Sequence, residues 1–349
     1  MLATCLPFIG CNSANKSEKS QEERPNILFI LSDDHTGQAW GIYGGILADY
    51  VKNENIRRLA AEGCVLDNCF CTNSISAPSR AAIMTGAYSH RNGVYTLEDG
   101  LDPAVDNIAK QMQAGGYQTA LIGKWHLKRQ PAGFDHFNVF HDQGEYVNPI
   151  FKTAENWVDD DKGKQGTEVK GFSTDIVTDQ TIDWIRNRDK NKPFMMCCHF
   201  KATHEPWDFP ERMKHLYDDV VFPEPESMME FGPETSGRAF QGQQLENMGW
   251  RWETASKDPA AWWCQYPELP FSTKGMDKVA ARKKIYQKMI KDYLRCGATI
   301  DDNIGRLLKM LDEEGLEVDM KKMEADEINE VAALENVVSE TSAEVPAQV

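Results

Sequence analysis

The chain has 349 residues, 41% of them hydrophobic and 10% aromatic, enough for one large domain or two smaller ones around a sizeable core. Its formal charge of −16 excludes nucleic acid as a partner, because phosphate backbones demand clustered Lys and Arg. It does not exclude a small anionic substrate, since a few local cations can dominate a pocket.

The N-terminal stretch Met1 to Ile9 is short and apolar, and Phe8-Ile9-Gly10-Cys11 resembles a bacterial lipoprotein processing site. Cleavage there would leave Cys11 as a lipid-anchored terminus at the periplasmic or outer cell surface. The polar segment from Asn12 to Arg24 would then be its tether. Residues 1–24 are therefore read as signal and tether. No other stretch approaches the length of a membrane span.

Asn26 to Leu31 is continuously apolar, as expected of a parallel strand buried on both faces. Helices are expected around Asn55 to Glu62 and from Asp106 to Ala114, the second ended by Gly115-Gly116. Gln118 to Ile122 reads as a short strand, Thr174 to Arg188 as an amphipathic helix, and Pro193 to Phe200 as a second strongly apolar strand. Tyr286 to Glu314 reads as a long helix stopped by Gly315. Strands alternating with helices predict an α/β fold with a mainly parallel sheet flanked by helices.

Residues 205–285 break this rhythm with five Trp, several Pro and no clear periodicity, so an insertion lying over the sheet is expected. Such Trp residues can stack on sugars, but more commonly pack a satellite core. Nine cysteines are present, an odd number without paired CxxC spacing, so neither a disulfide framework nor a zinc site is expected. Cys64, Cys69 and Cys71 read as buried thiols flanking a strand. Residues 317–349 hold nine acids and two lysines, −7 of the total charge, and are expected to be a disordered tail.

Three apolar strands end in polar clusters: Ser32-Asp33-Asp34-His35, Gly123-Lys124-Trp125-His126 and Lys201-Ala202-Thr203-His204. In open α/β sheets, ligands bind beyond the carboxyl ends of strands, so all three can face one pocket. Asp33 and Asp34 are hard-oxygen donors suited to Ca²⁺ or Mg²⁺, although adjacent Asp residues alone are commonly a turn or cap. Lys124 and His126, two apart, point the same way in an extended segment. His204 alone would be an ordinary structural histidine.

The segment Ser76-Ala77-Pro78-Ser79-Arg80-Ala81-Ala82-Ile83-Met84-Thr85-Gly86 adds weight. Pro78 suits a first helical turn and Gly86 a helix stop. Ser76 would sit just before the helix N-terminus, where unpaired N–H groups attract an anion, with Arg80 one turn on to meet oxyanions. The plainer reading makes Ser76 a helix cap.

This segment resembles the sulfatase signature, in which Cys or Ser is followed by x-Pro-Ser-Arg and then Thr-Gly. Gly116 through His126 resembles the second signature of that family. Pro25 through Asp34 is similar to its opening strand, and Lys192 through His204 to its third strand and loop. Ile300-Asp301-Asp302-Asn303-Ile304-Gly305 resembles the helix before its last metal-binding strand. The match runs from about Arg24 to Gly315, so residues 25–316 are read as the catalytic domain, with the Trp-rich insertion inside it.

The resemblance implies the alkaline-phosphatase-like fold, one Ca²⁺, and conversion of Ser76 to formylglycine (3-oxoalanine) by a radical-SAM maturating enzyme. Serine itself is a poor nucleophile without a base beside it. By resemblance, Asp33, Asp34 and residue 76 bind calcium, Arg80 orients the nucleophile, and Lys124 holds the sulfate. His126 deprotonates the diol to release sulfate, and His204 protonates the leaving oxygen. The implied substrate is a sulfated glycan, with similarity to bacterial N-acetylglucosamine-6-sulfatases around His35 to Trp40 and Lys201 to Trp207.

The family continues with a metal-binding strand ending in Ser-Asp-x-Gly or Ser-Asp-His-Gly and a C-terminal subdomain. After Leu316 this sequence shows neither, so a half-built calcium site, an unpaired sheet edge and weak or absent activity are expected. Two alternatives stand beside the leading one: a phosphomonoester or phosphonate-ester hydrolase of the same superfamily, and a non-catalytic glycan-binding lipoprotein.

Overall fold

Each apolar run has become a strand: β1 (Ile27–Leu31), β2 (Gln118–Gly123) and β6 (Phe194–His199), with β1 and β2 flanking β6 in parallel. The computed structural model describes residues 24–159, 165–229 and 244–316. The expected signal and tether with Cys11, and the expected disordered tail, therefore lie outside the described residues, save for Arg24. No described helix is long and apolar enough to cross a membrane.

Among the described residues the sheet has six strands in the order β1-β6-β2-β3-β4-β5. β3 (His136–Phe140) is parallel to β2, and the short strands β4 (Ile150–Lys152) and β5 (Thr167–Glu168) add antiparallel pairs at one edge. These three were not expected from the sequence. Their polar and aromatic residues mask any clean alternation.

The central strands are apolar throughout because both faces are covered. Ala120 and Ile122 of β2, with Met196 and Cys198 of β6, pack against α5 (Ser173–Asn187) and the C-terminal long helix (Lys278–Glu313). Leu121, Met195 and Cys197 point the other way, onto α2 (Ser76–Thr85) and α4 (Ile108–Ala114). This is the period-two alternation of a strand with two cores. β1 differs from expectation: it is half-buried along its length and, among the described strands, pairs only with β6.

Between these, α1 (Glu54–Glu62) and the single turn α3 (Ser89–Asn92) complete the first half. The described residues of the 205–285 stretch hold more regular structure than expected. They contain α6 (Leu245–Lys257), and the long helix, now α7, starts at Lys278. This segment packs Trp252, Tyr266 and Phe271 against Ile285 of α7, not flat over the sheet. Trp252 is wholly buried there, with Trp207 and Trp262 against it, whereas Trp250 and Trp263 remain 62% exposed. Most of the tryptophans thus build the satellite core.

The Ile300-to-Gly305 segment is structural. Asp301 Oδ1 accepts from the Ile56 amide (2.8 Å) and caps the start of α1, while Asn303 donates to Asp175 on α5 (2.8 Å). A side chain at Gly305 would collide with Asn55, 2.6 Å away, so glycine permits the close approach of α1.

Candidate active site

Register fixes the geometry. Leu31 of β1 and Gly123 of β2 both align with His199 of β6, so the three carboxyl ends finish level. The loops beyond are then stitched together. The Lys124 amide donates to His199 O (2.8 Å), Asp33 N to Ala202 O (2.8 Å), and Thr203 N to Asp33 O (2.7 Å). Gly123 is required: its φ is +101°, and a Cβ would lie 1.9 Å from His199 O.

Asp33 is the hub. It is 5% exposed and receives charge from two elements: Arg80 Nη2 donates to Oδ1 at 3.1 Å, and the Lys124 ammonium pairs with Oδ2. Burial raises its pKa, but Arg80 and Lys124 reverse this and hold the carboxyl well below the usual range. Asp33 is thus kept as a buried anion among cations.

Ser76 is the first residue of α2, with Ile75 as the flanking cap and no side-chain capping bond. The capping role is therefore not the one adopted. Its hydroxyl instead donates to Asp33 Oδ1 at 3.2 Å. Pro78 sits in the first turn and Gly86 ends the helix in the left-handed region (φ +61°), as expected. Arg80 is buried and also donates to Lys124 O at 2.7 Å, tying α2 to the end of β2. A cavity of about 260 Å³ opens here, lined by Asp33, Asp34, His35, Ser76, Ser79 and Arg80.

Lys124 and His126 are both buried, but the segment is not extended through both, because His126 turns back with φ +54°. Burial draws the Lys124 ammonium down to about 8, with Asp33 opposing. Burial, then Lys124, keep His126 largely neutral; its Nε2 lies 3.5 Å from Asp142 Oδ1 and its buried Nδ1 has no partner among the described residues. His204 Nδ1 donates to the Glu205 carbonyl at 2.7 Å, which leaves Nε2 facing Asp34 Oδ2 at 3.7 Å. Burial, then the nearby Lys124 and Lys201, lower its pKa, with Asp33 opposing.

Ligand atoms of Asp33, Asp34 and His204 lie within 4.8 Å of one another. The two carboxylates and the adjoining Ser76 hydroxyl are hard-oxygen donors of the kind calcium takes, and Asp33 is kept ionised for it. Calcium takes about six to eight oxygens, so these described residues would supply only one side of a shell. Cys64, Cys69 and Cys71 are not buried as expected; all three are exposed in the loop before α2, and Cys71 lines the cavity.

All seven sequence-predicted residues converge on this region. The sequence reading missed a fourth contributor, the turn after β3. β3 runs parallel to β2, so its polar end, His141-Asp142-Gln143-Gly144-Glu145-Tyr146, faces the same side. Gln143 Oε1 accepts from Lys124 at 2.5 Å, and Tyr146 Oη donates to His204 O at 2.6 Å. Recognising β3 as a strand would have exposed this cluster. Tyr293 was also missed, and Lys201, part of the third expected cluster, had been given no role of its own. Tyr293 accepts from the Thr36 amide (2.8 Å) and donates to Asp34 O (2.9 Å), steadying the loop that carries His35.

Comparison with known proteins supplies the family. The chain is 36% identical over 341 residues to the N-acetylglucosamine-6-O-sulfatase of Bacteroides thetaiotaomicron, an alignment covering 89% of this chain and 59% of that protein. It is 28% identical over 234 residues to an arylsulfatase of Clostridium perfringens, covering 58% of this chain and 48% of that one. A protein solved with its substrate D-glucosamine-2-N,6-O-disulfate superposes with a TM-score of 0.73 at 35% identity, over 84% of this chain and 63% of that structure. The chain thus spans about three fifths of the length of the N-acetylglucosamine-6-O-sulfatase it resembles. The sulfatase family profile matches residues 25–320, and the chain belongs to the sulfatase family.

Proposed function

We propose that this chain carries the catalytic region of a sulfuric-ester hydrolase that releases sulfate from 6-O-sulfated N-acetylglucosamine in glycans. The observation that carries the reading is the Asp33 hub, where Ser76, Arg80 and Lys124 meet one buried carboxylate. The substrate class rests on similarity to the Bacteroides N-acetylglucosamine-6-O-sulfatase and to the structure holding a glucosamine disulfate.

In this reading Ser76 would be converted to formylglycine by a radical-SAM maturase, and Ca²⁺ would be held by Asp33, Asp34 and residue 76. Together the two groups would supply a nucleophilic hydroxyl and a cation that draws charge from the sulfate oxygens. Arg80 and Lys124 neutralise the anion as it enters. His126, largely neutral in its buried setting, accepts a proton. His204 presents Nε2 on the side of Asp34, where a proton can pass to the departing sugar oxygen. Asp34, half-exposed, lies on the solvent side of the group. The N-terminal reading adds a lipid anchor at Cys11 and a periplasmic or cell-surface address.

The test is sulfate release from N-acetylglucosamine-6-sulfate by the chain expressed with a maturase and assayed with calcium. Turnover that Ser76→Ala abolishes supports the reading. Binding of the sulfated sugar with no turnover, in protein whose position 76 is converted, favours a glycan-binding role instead.

A further inference from the structure

The Lys124 ammonium carries three hydrogens on a flexible four-carbon stem. One is directed at Asp33 Oδ2 and a second at Gln143 Oε1. With two directions taken, the third is set, and no described residue accepts it. Gln143 is itself held. Lys201, buried on the next strand's end, donates from Nζ to the Gln143 main-chain oxygen at 3.4 Å, and its ammonium lies 5.2 Å over the Tyr146 ring. Tyr146 in turn bonds the His204 carbonyl. Gly144, with φ +71°, makes the turn tight enough for both contacts, because a Cβ there would lie 2.7 Å from the Phe140 ring.

We propose that Gln143 and Lys201 are positioning residues for the anion site: Gln143 aims the Lys124 ammonium, and Lys201 fixes the turn from which Gln143 reaches. Neither needs to touch the substrate. A lysine bonded only to Asp33 would swing about that one contact and spend its charge on the carboxylate. Gln143 offers a neutral second acceptor, which directs the ammonium without cancelling its charge; a carboxylate at that position would cancel it. The inference rests on the proposed reading of this pocket as a sulfate site.

The test is calorimetric titration of the full chain with inorganic sulfate, in calcium buffer, together with melting temperatures. Gln143→Ala, at a half-buried position, is expected to weaken sulfate about tenfold, the usual weight of a hydrogen bond to a charged group. Lys201→Met is expected to weaken it about threefold, and Lys201→Arg to restore it, because a guanidinium also donates to a carbonyl. In a Lys124→Ala background, Gln143→Ala is expected to change affinity less than twofold, since its target is gone. An undiminished tenfold effect in that background overturns the proposal, as does a Lys201→Arg variant no better than Lys201→Met. Lower melting temperatures with unchanged sulfate affinity reduce both residues to structural ones. Absence of sulfate binding by the unsubstituted chain instead removes the anion-site reading and this inference with it.

Discussion

Ser76 and Asp33, 43 positions apart in sequence, are joined by a hydrogen bond of 3.2 Å between the first residue of a helix and the loop after the first strand. That bond brings the residue proposed to be modified to the carboxylate proposed to hold calcium. It also separates the two aspartates: Asp33 is enclosed by Arg80 and Lys124, whereas Asp34 is exposed.

Substitution should separate them in the same way. Asp33→Asn leaves two buried cations without their anion and is expected to cost about 3–5 kcal/mol of stability as well as calcium binding. Asp34→Asn is expected to change stability by less than about 0.5 kcal/mol while weakening calcium. Urea unfolding and calcium titration of both variants check this. Equal loss of stability would contradict the enclosed-anion account.

Gly123 is the point where the sheet admits Lys124. Gly123→Ala combines a positive φ with a Cβ only 1.9 Å from His199 O, a backbone atom that cannot swing aside. A destabilisation above about 2 kcal/mol is expected, with the proposed sulfate-ester turnover lost before the fold is. Thermal unfolding and activity measured together on this variant provide the check.

The tryptophans of 205–285 should divide by burial. Trp252→Ala empties a wholly buried site between α6 and α7 and is expected to cost about 3–5 kcal/mol. Trp250→Ala, at a position 62% exposed, is expected to cost less than about 1 kcal/mol. Chemical denaturation of the pair distinguishes these values.

Asp208 gives stability a pH slope opposite to the usual carboxylate. Burial, reinforced by Asp292, pushes its pKa up to about 6 from 3.8, although the Phe209 amide opposes. Between these values the unfolded chain releases the proton and the folded chain keeps it. The contribution of Asp208 therefore falls as pH rises through that window, and its full cost is present above about 6. Allowing for partial exposure, the cost is about 1–2 kcal/mol at neutral pH. Asp208→Asn keeps an acceptor for the Phe209 amide and should recover that stability at pH 7.5 but not at pH 4. Unfolding curves at both pH values show whether it does.

The parts of the fold with strong local signals were readable from the sequence. The apolar runs of β1, β2 and β6 were readable as strands of a mainly parallel sheet, although burial on both faces was expected of β1 and holds for β2 and β6 instead, and the Ser76-to-Gly86 segment carried its own helix start and stop. Convergence of Asp33, Lys124 and His204 followed from strand ends alone. The missed parts depend on pairing. β3 mixes His136 and Asn138 with its apolar residues and takes its strand form from β2, so its polar end, with Gln143, had no signal of its own. The half-burial of β1 reflects its neighbours in the sheet, which a single apolar run does not specify. The exposed Cys64, Cys69 and Cys71 went wrong because residue-type averages stood in for a loop whose course is set by α1 and α2.

The most direct test of the central claim is the mass of the peptide carrying Ser76, from chain produced together with a radical-SAM maturase. The account predicts a peptide lighter by the mass of H₂, the signature of formylglycine, in protein that releases sulfate. Serine left unmodified under those conditions, with sulfate-ester turnover intact, would contradict it.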